Sequence, residues 1–379
     1  MISTGFVNSI KRGCRQLCGR RIYFFAMTVI PIVLAGFLLG LMRNGLPLHI
    51  PTAIVNHDNT ESTRKLIRNI KSSEEVSVVS VVSSEAEAMQ LIRKGKIYGF
   101  YVIPFNFTSD ATAGRAPELA YYTNSTFFIP SSLLFRSLKT NSVLASGAIV
   151  KTYLVNSGAA TDTQAQTLLQ PVVLQTNPLH NPESNYSVYL CNSFIPAALA
   201  LMILLVTAYS IWHEEKMQTS PQWIKEAHGS ITIALLGKLL PQTVVFAAVG
   251  VFMQSLMYGY LHFPLNCSPW QAVGTMLLFV LANQGFAVFI SGIMPNLRMA
   301  LSFCSLFGIL TFSIGAFSFP LEDMYGSIAI FSYILPSRYY FLIYVDQMLN
   351  GLPLYYSRFY YAAPVSYTHL RAHETLANL

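Results

Sequence analysis

Long uncharged runs alternate with polar stretches along the whole chain. Apolar runs cover residues 22–42, 188–212, 239–261, 270–293 and 299–319. Each is close to the roughly 20 residues that carry a helix across a bilayer. The pattern predicts five membrane spans. Pro31 lies inside the first and is expected to kink it, which membrane helices tolerate. Gly308 and Gly315 in the fifth are small enough to let helices approach closely. The first run is too long for a signal-peptide core and no small-residue cleavage site follows it, so it reads as a span that stays attached.

Between the first two runs, residues 43–187 have a different character. PTAIV at 51–55 reads as a buried strand, residues 56–59 (NHDN) as a turn, and Thr60 as the cap of a helix over 61–71. The valine-rich stretch 76–82 reads as a strand. Ser84 opens a helix over 86–94 that Gly95 stops, and 98–103 and 119–122 read as two more strands. A helical rhythm follows over 131–154, and 161–182, rich in Gln, Thr, Asn and Pro, reads as an irregular return. Strands alternating with helices predict a compact α/β domain.

A second polar stretch, 211–241, separates the second and third runs. Ser220 can cap a helix, Pro221 suits its first position and Gly229 its end. Trp223, Ile224 and Ala227 then share one face, while Gln222, Lys225 and Glu226 lie away from it. This is a short amphipathic helix at a membrane surface. It either anchors in the headgroups or takes a push from a soluble partner, and for the second role Trp223 is the expected anchor. After the fifth run, the apolar piece 328–335 is too short to span and ends at Pro336 and Arg338. Residues 320–350 are therefore expected to form a re-entrant or interfacial hairpin, with Glu322 and Asp323 on its outer side.

Composition agrees with the pattern: 53% of residues are hydrophobic and 11% charged, against about 25% charged in soluble domains. The formal charge of +7 is read through topology. Lys11, Arg12, Arg15, Arg20 and Arg21 precede the first run, so residues 1–21 form a basic arm held in the cytoplasm, and 43–187 lies outside. A nucleic-acid arm has no supporting motif. The five cysteines make no framework, and Cys14 and Cys18 lack the second pair or histidine of a metal site. Matches to N-glycosylation acceptors at Asn106, Asn124 and Asn185 carry meaning only in a eukaryotic secretory pathway. There is no phosphate-binding loop: Gly237-Lys238 is followed by Leu239, with Thr232 where the first glycine belongs. His213-Glu214-Glu215 lacks the second histidine of a zinc protease. A non-catalytic chain that binds no metal or cofactor is expected.

Three ordered blocks resemble the permease subunits of ABC-2 type exporters, in the subgroup with a large extracytoplasmic domain after the first span. They are the PTAIVNHDNTESTRKLI and SSEAEAMQLIRKGKIYGFYVIPFNF segments; the cluster Glu214-Glu215-Lys216 with Thr219 and the Gly237-Lys238-Leu239-Leu240-Pro241 run; and the FPLEDM segment with Leu335-Pro336. The resemblance covers about residues 1–360. It implies a helical polytopic membrane protein of six spans with an inserted α/β domain. The chain would be a transport subunit moving a substrate, drug-like or lipidic in class, out of the cytoplasm or inner membrane. ATP and Mg would be bound by a separate ATPase. A second permease, a periplasmic adaptor and membrane lipids are the further partners, no nucleic acid is, and the bacterial inner membrane is the implied location. Glu214, Glu215, Lys216, Thr219, Trp223, Ile224, Gly237 and Lys238 would form the ATPase-coupling loop. Glu322, Asp323 and Pro336 would belong to the outer hairpin.

Two features depart from the family pattern. Gln218 stands where glycine usually precedes the loop threonine. A sixth span should follow Gly351, yet 352–379 contains no apolar run of that length, and residues 364–379 bear no relation to the preceding pattern and read as a non-native tail on a truncated sixth-span region. A membrane-anchored receptor or scaffold whose α/β domain binds a ligand is the alternative reading. An ion-coupled transporter would need ionisable residues deep in the spans, and the five runs as bounded above contain no Asp, Glu, Lys or Arg.

Overall fold

The computed structural model describes residues 2–43, 45–170, 175, 177, 179–182, 185–315 and 321–370, without the side chains of 2, 3 and 366–370. The chain divides into two compact units, Met1–Gly45 with Pro178–Leu379, and Leu46–Asn177.

The first unit contains five helices long and apolar enough to cross a membrane: Arg21–Leu41, Tyr186–Lys216, Ile231–Tyr260, Pro269–Ile293 and Leu297–Ile314. The protein is a helical polytopic membrane protein, as the run pattern predicts. The second span is the centre of the bundle and packs on the other four. Cys191, Ile195, Leu199 and Ile203 meet Tyr23, Met27, Phe246, Met276 and Phe279 in its core. Gly308 does what its size suggests: a Cβ there would stand 3.2 Å from the Leu201 Cα of the second span. The first span presents Phe24, Phe25, Val33, Phe37 and Leu41 outward. Pro31 has no N–H to give to the preceding turn, and the helix is π-helical over Phe25–Val29 just ahead of it.

The basic arm is a helix, Ile2–Gly19, that lies along the start of the third span. Two expectations are corrected. The polar stretch between spans two and three shrinks to 217–230, because the second span runs on through His213, Glu214, Glu215 and Lys216, and the third starts at Ile231. Glu214, Glu215, Lys216 and Lys238 therefore sit on span helices, which overturns the count of uncharged spans. Residues 354–370, in the region expected to lack a sixth span, form a helix, Leu354–Leu370. Polar bonds dock it: Tyr361 Oη donates to Gln347 Oε1 at 2.7 Å and Ser357 Oγ to Asp346 Oδ2 at 3.1 Å. Residues 371–379 lie outside the described residues. The hairpin breaks where Pro336 predicts, with Gly326–Ile334 and Pro336–Leu349 meeting at 84°.

The second unit is a four-stranded sheet, β1 (Ile50–Asn56), β2 (Val76–Val82), β3 (Gly99–Ile103) and β4 (Ala120–Thr123), in the order β2-β1-β3-β4. β1 runs parallel to β2 and β3, and β4 antiparallel to β3. Side chains alternate across it. Ile54, Tyr101 and Ile103 point to one face, under helices Glu61–Lys71 and Phe128–Asn156. Ala53, Val55, Phe100 and Val102 point to the other, under Glu85–Arg93. Thr60 and Ser84 cap their helices as expected, accepting from Thr63 N and Glu87 N. Gly95 ends the second of these helices at φ +67°. Two short helices join these elements, Phe107–Thr112, where the sequence reading assigned no element, and Asp162–Leu169, where an irregular return was expected.

Leu138 is fully buried among Leu134, Ile70 and Tyr101. Leu138→Ala should destabilise this unit by about 2–5 kcal/mol. Hydrogen exchange of the whole protein should show β1 and β3 amides losing protection while the second span keeps its own.

Candidate functional site

The loop cluster is an ionic and aromatic network at one end of the helix bundle. Lys238 Nζ lies 2.7 Å from Glu214 Oε1, with side-chain exposures of 1% and 5%. Arg12 of the N-terminal helix bonds Glu214 Oε2 at 2.8 Å and Glu226 Oε1 at 3.0 Å. Burial works against the Arg12 charge, but the bonds and charges of Glu214 and Glu226 outweigh it and hold the guanidinium above its ordinary pKa. The Thr219 hydroxyl donates to the Glu214 carboxylate. Lys238 Nζ also stands 4.6 Å from the centre of the Trp223 ring, a cation–π contact that closes the network on the loop helix.

Close backbone approach makes this possible. Gly5, Ser9 and Gly13 form a small-residue stripe on the buried face of the N-terminal helix. A Cβ at Gly13 would stand 3.0 Å from the Lys238 carbonyl, one at Gly5 2.6 Å from His228 Cδ2, and one at Gly237 would strike Ser9. The helices touch along these positions, and Arg12 thereby reaches Glu214. The four-residue spacing of the stripe is the sequence signal for this contact, and it lies interleaved with the basic residues of the arm.

The loop helix is Ser220–Glu226, and its ends differ from expectation. Thr219, not Ser220, is the N-cap, and Thr219 does not cap with its side chain, because its hydroxyl serves Glu214. The end is a Schellman closure, with His228 N bonded to Lys225 O and Gly229 N to Ile224 O. The left-handed closing residue is His228 at φ +56°, one position before Gly229. Gln218 is also left-handed at φ +57°, a conformation that glycine adopts at least cost.

The predicted site residues divide by burial. Glu214, Trp223, Gly237 and Lys238 are interior, Thr219 and Ile224 half-buried, and Glu215 and Lys216 exposed. The expectation that Trp223 inserts into a partner is therefore corrected: it is 3% exposed and packs against Ile211, Leu235, Leu239 and Val288. Beside the loop helix, Trp212, Pro221, Ile224 and Ile231 together with Glu215, Gln218 and Ser220 border a recess of mixed polarity of about 210 Å³. The hairpin residues do not join this cluster. Glu322 and Asp323 are exposed in a single 3-10 turn, and Pro336 is buried at the start of its helix. Sequence reasoning missed Arg12 and Glu226 as members of the network.

A bundle of apolar spans, an inserted α/β unit and an internally braced loop helix, without a nucleotide-binding motif, is the architecture of a transport permease. The family model for ABC-2 family transporter proteins matches residues 21–367, and the chain belongs to that family, as a membrane permease of an ABC transporter. The match reaches past Pro364, into the stretch expected to be foreign. Comparison with curated proteins gives no match.

Glu214→Gln should strand Lys238 in the interior without an acid and cost about 3–5 kcal/mol. Lys238→Met should cost less, because Arg12 still partners Glu214. The pair Glu214→Gln with Lys238→Met should recover most of the loss. Thermal unfolding in detergent, read as a double-mutant cycle, checks the order. Gln218→Gly should raise stability by roughly 1 kcal/mol by removing a left-handed non-glycine residue.

Proposed function

We propose that this permease is the membrane subunit of an exporter driven by a separate ATPase, which binds the ATP and Mg, and that the loop helix receives the motor's movement. The observation that carries the coupling role is the bracing of Ser220–Glu226 from within, through Trp223 on Lys238 and Thr219 on Glu214. A helix this short has little stability of its own. Held from inside, it passes a displacement to spans two and three together. The docking surface is then the exposed set Glu215, Lys216, Gln222 and Lys225, beside the recess of mixed polarity at Pro221 and Ile224.

Orientation follows from charge. The basic residues of 11–21 favour a cytoplasmic N-terminal helix and loop, and in that reading residues 43–187 are extracytoplasmic. The second permease needed to complete a pathway, an adaptor, and a drug-like or lipidic substrate belong to the same reading.

The test is co-purification with a tagged ATPase subunit and ATPase stimulation in proteoliposomes. Charge reversal at Glu215 or Lys225 should weaken association by about 1 kcal/mol, roughly fivefold. The effect should shrink as salt rises. Trp223→Ala should lower the melting temperature of the permease itself. Absence of any associated ATPase would overturn the reading and favour the membrane-anchored receptor.

A further inference from the structure

The α/β unit holds a feature that coupling does not use. Its parallel strands are wound in two directions. From β1 the chain crosses one face of the sheet, through helix Glu61–Lys71, to reach β2. From β2 it crosses the other face, through helix Glu85–Arg93, to reach β3 on the far side of β1. The winding therefore reverses between β1 and β3. In open sheets of this kind, ligands settle outside the carboxyl ends of the strands at that reversal. Here the two strand ends are tied together: Asp58, just past β1, accepts from Thr108 N, in the helix that follows β3, at 2.8 Å.

A cavity of about 370 Å³ lies beside this tie, within the size range of small-molecule sites. Its walls are the helix after β1, the helix Phe107–Thr112 after β3, and the second half of Phe128–Asn156. Leu66 and Phe107, both buried, form its floor with Ala145 and Ile149. Its polar groups are few and mostly engaged. Thr112 and Thr152 donate to the main-chain carbonyls of Thr108 and Ala148, and Thr108 shares its hydroxyl with Thr60. Among the described residues no acid lines the cavity, and Lys65, the one charged residue that does, is 65% exposed and paired with Glu61 at 3.1 Å. The side-chain amides of Asn69 and Asn156 make no hydrogen bond among the described residues and are left to a ligand. Such a lining desolvates a charge without compensating it, but accommodates an apolar body with one uncharged polar end.

We infer that this cavity binds a small neutral molecule with an apolar body and an uncharged polar end. The inference rests on the α/β unit alone and goes beyond the coupling reading.

The experiment uses the whole protein in lipid nanodiscs, photolabelled with trifluoromethyl phenyl diazirine, a small neutral apolar probe, with labelled peptides mapped by mass spectrometry. Peptides covering 61–71, 107–112 and 145–156 should label saturably, while lipid-facing spans label in proportion to the probe. Naphthalenemethanol should suppress the saturable labelling about tenfold more effectively than naphthalenemethylamine, which carries the same rings and a positive charge. Ala148→Phe, at an exposed lining position, fills the cavity and should lower labelling of 61–71 and 107–112 about fivefold. Leu168→Phe, exposed and outside the lining, should label as the wild type does. Should Ala148→Phe lose its melting transition, Thr152→Phe supplies the same test from another exposed lining position. Labelling of the three peptides that rises with the probe and never saturates would overturn the inference. So would competition by the amine equal to that of the alcohol, or wild-type labelling in both filling variants. No ATPase enters the measurement, so a negative result leaves the coupling reading standing.

Discussion

The pairing of Glu214 with Lys238 is the constraint on which the cytoplasmic-facing end of this bundle depends in the proposed orientation. Either charge alone would be very costly at that burial, and together they remain tolerable only while the geometry holds. That requirement fixes the end of the second span against the start of the third. It also explains why both helices run further than their hydropathy suggests, since a paired acid and base can ride inside a helix that an unpaired charge would end. Arg12 makes the pair a triad and brings the N-terminal helix into the same register. Trp223 covers the ammonium and brings in the loop helix.

Packing in the first unit then follows a rule of small residues. Lipid is as apolar as leucine, so helices gain little from burial in a bilayer and must gain from close contact. Gly308 against Leu201, and Gly13 and Gly237 between the N-terminal helix and the third span, are the places where backbones meet. These positions matter for the ion network as well. Widening the approach at Gly237 would move Arg12 away from Glu214 without touching either side chain.

The α/β unit was largely legible because its signals are local. Thr60 and Ser84 name their helices, the valines of 76–82 name β2, and the alternation around Tyr101 names β3. Asp162–Leu169 was missed although Thr161 and Gln164 form a capping box, because the polar composition around it resembles a loop. In the membrane unit the five runs were visible, and Pro336 marked the hairpin break. The site was legible as a cluster and not as an arrangement. Lys238 lies 24 residues from Glu214 and Arg12 lies 202 away, and nothing in local spacing joins them. Of the three apolar residues expected to share a face of the loop helix, Trp223 and Ala227 are buried and Ile224 is half-buried at the surface recess, and an amphipathic pattern does not say which of them turns inward.

That inward turn changes how movement of the loop helix would be transmitted. A helix anchored by Trp223 in a partner would be free to rock on its own span ends, and force would dissipate in the loop. Held instead on Lys238 and Glu214, the helix cannot move without moving the third span at Lys238, the second at Glu214, or breaking a buried ion pair. In the proposed coupling the ion pair would set a threshold: small displacements at the exposed face would be carried into both spans, and only a large one would separate the charges. Arg12 would raise that threshold, because Glu214 released by Lys238 still has a partner.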